Sequence, residues 1–199
     1  GGGTSLTGRM VEQTLAAIAE AEVLLFITDA REGLTDADKA IARALRKTGK
    51  KIILAANKCE GRTDLAEMHG LGFGAPLELS AEHALGFVDL AEILAPIAPR
   101  AYVPADDGEE EAAEEEKEEA QKEDYTARPL RLALVGRPNV GKSSLFNRLL
   151  GDERSIVGPE AGLTRDAITA PWKAGERDIL LHDTAGLRKK ARVAGEVLE

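Results

Sequence analysis

The feature that most constrains this chain is Gly136-Arg137-Pro138-Asn139-Val140-Gly141-Lys142-Ser143, placed directly after the apolar run Leu130-Arg131-Leu132-Ala133-Leu134-Val135. The pattern Gly-x-x-x-x-Gly-Lys-Ser marks a phosphate loop when a strand leads into it and a helix leads out. Both conditions are met, because Lys142 to Leu150 reads as a helix. Glycines let the backbone wrap an anion without a side-chain clash, and the N–H groups of the loop and helix start then point at it. In this arrangement Lys142 neutralises β- and γ-phosphate charge, and the Ser143 hydroxyl is a Mg²⁺ ligand, with Ser144 beside it in the nucleotide-contacting set.

Three further motifs fit the same chemistry. Asp183-Thr184-Ala185-Gly186 ends an apolar strand. An acid there holds Mg²⁺ through water, while the Gly186 amide senses the γ-phosphate. Thr164, between the two motifs, fits the switch threonine that completes the Mg²⁺ shell. Asn57-Lys58-Cys59-Glu60 follows a buried strand and resembles the Asn-Lys-x-Asp element by which GTPases read guanine. A carboxylate at its last position accepts from the N1–H and 2-amino groups of guanine, which adenine cannot supply. Glu60 departs from the usual Asp, and its extra methylene shifts the acceptor. Ser80-Ala81 resembles the accompanying Ser-Ala-Lys element, with Glu82 in place of Lys. His182 and His83 are assigned no catalytic role, and Trp172 is read as structural.

Hydrophobic periodicity places these motifs on an alternating α/β frame. Residues 9–22 are expected to form an amphipathic helix, and Val23 to Ile27, ending at Thr28-Asp29, a buried strand. Thr35 is the expected cap of a helix over 36–48, with Lys47 in its last turn and Gly49 after it. Lys51 to Ala56 is the next strand, 62–69 a short helix, Pro76 to Ser80 a third strand and 86–98 a further helix. Beyond the glycine loop, 151–166 reads as switch-like, and strands at about 167–173 and 178–182 read as a hairpin. Alternating strands and helices imply a parallel sheet with helices on its faces.

Residues 100–127 break this pattern. Between Asp106 and Asp124 stand 12 acidic residues against Lys117 and Lys122. That stretch accounts for the chain's net charge of −9, so the acidity describes a solvated linker and says little about a binding face, with an acidic docking arm as the lesser alternative. Aromatics are only 4% of the residues, so the core must be aliphatic. Cys59 is the single cysteine, which excludes an internal disulfide. No apolar run approaches the ~20 residues of a membrane helix, and no signal peptide is present, so a cytoplasmic protein is expected. The chain opens on Gly1-Gly2-Gly3 and closes at Glu199 within an apparent helix start, which suggests a piece of a longer protein.

With these residues in view, the chain resembles the EngA/Der family of bacterial GTPases, which carry two G domains in tandem and assist large-subunit ribosome assembly. The resemblance rests on Gly136–Ser143, Arg154–Pro159, Ala161–Asp166 and Asp183–Arg188, and on Arg9–Ile18, Val23–Gly33, Asn57–Gly61 and Ser80–His83. It implies that 1–99 is the later half of a first G domain, 100–127 a linker and 128–199 the earlier half of a second. It implies GTP or GDP with Mg²⁺ as ligands, held by Gly136, Arg137, Pro138, Asn139, Val140, Gly141, Lys142, Ser143 and Ser144, with Asn57, Lys58, Glu60, Ser80 and Ala81 at the base. Lys142, Thr164, Asp183 and Gly186 are the implied catalytic residues, and Ser143, Thr164 and Asp183 the Mg²⁺ set. Leu187 stands where Ras-like GTPases carry a water-positioning glutamine, and a leucine cannot orient water. Relatives with this replacement often use K⁺, for which Asn139 is the implied ligand. The implied partners are the large ribosomal subunit and its rRNA, reached through the longer parent, with neither membrane nor DNA.

The motif order is inverted relative to an ordinary G domain: base-reading elements first, phosphate loop and Asp-Thr-Ala-Gly last. The elements amount to one G domain, so the fold expected is a P-loop NTPase, Ras-like G domain in permuted order, with the two halves closing into one composite domain. That idea requires Asn57 close to Gly141. A genuine circularly permuted GTPase, and a nucleotide-gated binding module without turnover, remain as alternatives. An ATPase is a weaker rival, disfavoured by Asn57-Lys58.

Overall fold

The computed structural model describes residues 14–61, 63–97, 128–151 and 168–184. They form a six-stranded sheet to which residues on both sides of the acidic stretch contribute. In chain order, helix α1 covers 14–20, followed by β1 (Val23–Asp29), α2 (Asp36–Arg46), β2 (Lys51–Asn57), α3 (Ala66–His69), β3 (Leu77–Glu78) and α4 (Phe87–Leu94). After the acidic stretch of sequence come β4 (Leu130–Val135), α5 (Lys142–Gly151), β5 (Ile168–Ala174) and β6 (Arg177–Asp183). The spatial order is β3-β2-β1-β4-β6-β5, with only β5 antiparallel, paired to β6 as the expected hairpin.

β1 lies mid-sheet, and all seven of its residues are buried. Strand side chains alternate in direction, so a strand covered on both faces reads as one apolar run. Val23, Leu25 and Ile27 enter the larger core cluster with α4, α5 and Trp172. Leu24 and Phe26 enter the other, with Ala42 and Leu45 of α2 and Met68 of α3. Phe73 packs edge-on to Phe26, at 6.1 Å between ring centroids, and carries the Arg46 guanidinium 5.0 Å above its own ring.

The signals at the ends of α2 act as expected. Thr35 accepts the Asp38 N–H, and Asp38 Oδ2 accepts the Thr35 N–H at 2.9 Å, a reciprocal capping box. Lys47 caps the other end, and Gly49 turns the chain with φ +65°. Lys50 closes α1 by donating to the carbonyls of Ile18, Ala19 and Ala21 at 2.5, 2.6 and 2.6 Å. A cation there meets the negative end of the helix.

Three elements are shorter than expected. The helix awaited over 62–69 is a single turn at Ala66–His69, and the one awaited over 86–98 is helical at Phe87–Leu94. The strand awaited at Pro76–Ser80 pairs only at Leu77–Glu78, because Ser80 leaves the ladder to bridge Leu85 across a tight turn. The acidic stretch and 152–167 lie outside the described residues.

Candidate functional site

In a parallel sheet every strand delivers its C-terminal end to the same edge, where open α/β proteins place ligands. Here that edge collects Asp29 and Asn57, which are register partners, and Asp183, the partner of Leu134 just before the glycine loop. The loop at Gly136–Ser143 joins β4 to α5. Its local geometry depends on Gly141, at φ +98°, and on Asn139, at φ +70°.

Asn57 ties the two sides of the site together. Its Nδ2 donates to the Val140 carbonyl at 2.8 Å, and its Oδ1 accepts the Ala81 N–H at 3.1 Å. It also lies against Gly141, where an added Cβ would run into Nδ2. Lys58, next along, donates to Asp29 Oδ2 at 2.5 Å and to the Asn139 carbonyl at 3.2 Å. Among the described residues, the non-glycine positions with positive φ are Lys58, Ala84 and Asn139. All three sit in loops of this site, and such strain persists only where surrounding contacts over-determine it.

Lys142 is 8% exposed, with Nζ turned onto the carbonyls of Gly136 and Arg137. Burial pushes its pKa down, against the opposing charge of Asp183. A desolvated ammonium inside a loop of backbone N–H groups is chemistry suited to a polyphosphate. Asp183 is itself buried, and Thr184 donates to the Leu134 carbonyl at 3.0 Å, fixing the end of β6 against β4. Ser143, at the start of α5, and Asp183, at the end of β6, supply hard oxygen donors of the kind Mg²⁺ takes.

At the position expected to read the base, Glu60 Oε1 accepts from the Ser80 hydroxyl, and Oε2 pairs with the Arg31 guanidinium at 2.6 Å. The Ser80 hydrogen bond leads in holding the carboxyl below the usual range, with Arg31 contributing and burial opposing. Ser80 is fully buried, and its Oγ also accepts the His83 N–H. Asn57 and Lys58 thus touch the phosphate loop, Ala81 is linked to it through Asn57, and Glu60 and Ser80 hold each other. Thr164, Gly186 and Leu187 lie outside the described residues.

Arg31 escaped the sequence reading, and Arg137, expected among the nucleotide-binding residues, has a side-chain role that the sequence reading did not foresee. The Arg137 side chain turns to Asp38 and Glu32, at 3.1 and 2.7 Å, so it fastens the phosphate loop to α2. Arg31 anchors Glu60. The one signal for Arg31 was the charged run Asp29-Ala30-Arg31-Glu32 straight after a buried strand. His182 is buried, and burial pushes its pKa down.

A family model described as 50S ribosome-binding GTPase matches residues 2–58 and 131–198, together more than half of the chain. The chain belongs to this GTPase family. The fold described above is accordingly that of a P-loop GTPase domain, with the family's pattern met in two stretches. Curated relatives named GTPase Der are similar along nearly the whole chain. Those of Brucella suis and Azorhizobium caulinodans are 45% and 47% identical over 95% of it. One from Allorhizobium ampelinum is 44% identical over 96%. The chain spans well under half of these relatives, 43%, 41% and 43% of their lengths. No helix among the described residues is long and apolar enough to cross a membrane.

Proposed function

We propose that this chain binds a guanine nucleotide with Mg²⁺ in one site assembled from both of its segments, and hydrolyses GTP to GDP and phosphate. The observation that carries this reading is the Asn57–Val140 hydrogen bond, which joins the base-reading element to the phosphate loop. In this reading Lys142 balances phosphate charge, and Glu60, with the Ser80-Ala81 turn beside it, reads the base. Ser143, Thr164 and Asp183 hold Mg²⁺, which would supply charge neutralisation between the β- and γ-phosphates. The Gly186 amide senses the γ-phosphate, and Asn139 is the ligand for a K⁺ ion.

The chain then represents the later half of one G domain (1–99), a linker (100–127) and the earlier half of a second (128–199), closed upon each other. The longer protein acts in the cytoplasm in assembly of the large ribosomal subunit, contacting its rRNA. The similarity to proteins named GTPase Der and the family description support that assignment.

The test is displacement of fluorescent GDP from the purified chain by GTP and by ATP, followed by single-turnover hydrolysis in KCl and in NaCl. Guanine-selective binding with K⁺-stimulated turnover is expected. Base-indifferent or absent binding would overturn the assembled site. Tight binding without turnover would leave a nucleotide-gated binding module instead.

A further inference from the structure

Glutamate reaches one methylene further than aspartate and has one more rotor to fix. At the base-reading position that extra freedom has to be removed if the carboxylate is to meet two N–H groups on one edge of a purine. The structure supplies two anchors. The Ser80 hydroxyl donates to Oε1, and Arg31 Nη2 donates to Oε2 at 2.6 Å. Each carboxylate oxygen offers two acceptor directions, so both anchors can remain while two more N–H donors are accepted.

Arg31 is itself held in place. Asp29 Oδ1 accepts the N–H groups of Arg31 and Glu32 at 2.9 and 3.1 Å. Asp29 Oδ2 accepts from Lys58, which also touches the phosphate-loop carbonyl of Asn139. A continuous line of contacts therefore runs from the phosphate loop to the anchor. The Arg31 side chain is 59% exposed, whereas that of Glu60 is 16% exposed. Arg31 thus reaches in from the surface and contributes little to the core.

We propose that Arg31 is a positioning residue that fixes the Glu60 carboxylate for reading the guanine edge, doing for glutamate what a shorter stem does for aspartate. This deepens the guanine-nucleotide reading above and rests on it.

The test is a double-mutant cycle of Arg31→Ala and Glu60→Asp. It is read out as affinity for GDP and for inosine diphosphate, which lacks the 2-amino group, with thermal denaturation of each variant alongside. One charge-assisted hydrogen bond corresponds to about a tenfold change in binding, so Arg31→Ala should weaken GDP by about that factor. It should also shrink the preference for GDP over inosine diphosphate. In the Glu60→Asp background the same Arg31→Ala change should cost about twofold or less, because the two sites are then no longer coupled. Arg31→Lys, with charge but no planar fork, should recover part of the loss. An equal loss in both backgrounds, or an unchanged preference, would reduce Arg31 to a general surface charge and overturn the inference alone. A wild-type chain without GDP affinity would overturn this inference together with the reading it rests on.

Discussion

Asn57 Nδ2 and the Val140 carbonyl oxygen lie 2.8 Å apart although the residues are separated by 83 positions in the chain. The same buried side chain receives the Ala81 N–H, so three loops meet on one amide. Asn57→Ala would leave both backbone groups unpaired, at about 1–3 kcal/mol each. A loss of about 2–6 kcal/mol is expected, measured by urea denaturation, together with loss of GDP binding, measured by titration. Trp172, the only tryptophan, is buried in the larger core cluster and serves as the fluorescent probe.

Gly141 and Gly175 separate strain from collision. Both have positive φ, +98° and +64°. At Gly175 an added Cβ meets open space, whereas at Gly141 it runs into Asn57 Nδ2. Gly175→Ala should cost about 1 kcal/mol from backbone strain alone. Gly141→Ala should cost clearly more and abolish nucleotide binding, as equilibrium unfolding and GDP titration of the two variants would show.

The clasp of Arg137 on Asp38 is a buried one. Asp38 is fully buried, and the Arg137 side chain is 12% exposed. Removing the guanidinium takes the cation from a buried carboxylate that keeps only its Thr35 hydrogen bonds, and breaking such a pair typically costs about 3–5 kcal/mol. Arg137→Ala should therefore destabilise the chain by about that amount. Arg137→Lys should retain part of it, since lysine brings charge without the two-armed geometry. Urea midpoints at matched ionic strength would measure both.

Asp29 sets a pH dependence. Burial disfavours its charge, but the hydrogen bond from Lys58 and those from the Glu32 and Arg31 N–H groups outweigh it, leaving the pKa below the usual 3.8. A lowered folded-state pKa gives stability that is fully present above the unfolded value and is lost as pH falls through the folded one. Stability should hold from neutral pH down to about pH 4 and then decline, by this linkage. Asp29→Asn should be less stable at pH 7 and show a shallower acid limb. Unfolding midpoints between pH 7 and pH 3 would measure it.

Much of the frame was legible because its signals are local. β1 and β4 are apolar runs with clear ends, Thr35 sits three residues before the Asp38 that completes its cap, and the glycine loop carries its own strand and helix. β3 and α3 were legible only as locations. Their lengths are set by tight turns that carry no periodic signal: Ser80 turns away to bridge Leu85, and the turn at Ala66 is closed by the Leu65 carbonyl and Gly70. The roles of Arg31 and Arg137 were not legible. A surface arginine has no preferred partner in sequence, and Asp38 and Arg137 stand 99 positions apart.

The β1–β4 pairing, which matches Val23 with Leu132, has a consequence for how this chain reaches its fold. The middle of the sheet is made of the most distant partners, so loop-closure entropy is met before the central contacts give anything back. Until then, each half presents an unpaired apolar edge, Val23 to Phe26 on one side and Leu132 to Val135 on the other. Such edges add strands from any neighbour. Refolding is thus a competition between an intramolecular zipper and self-association, and its yield should fall as protein concentration rises, even though the finished sheet buries both edges.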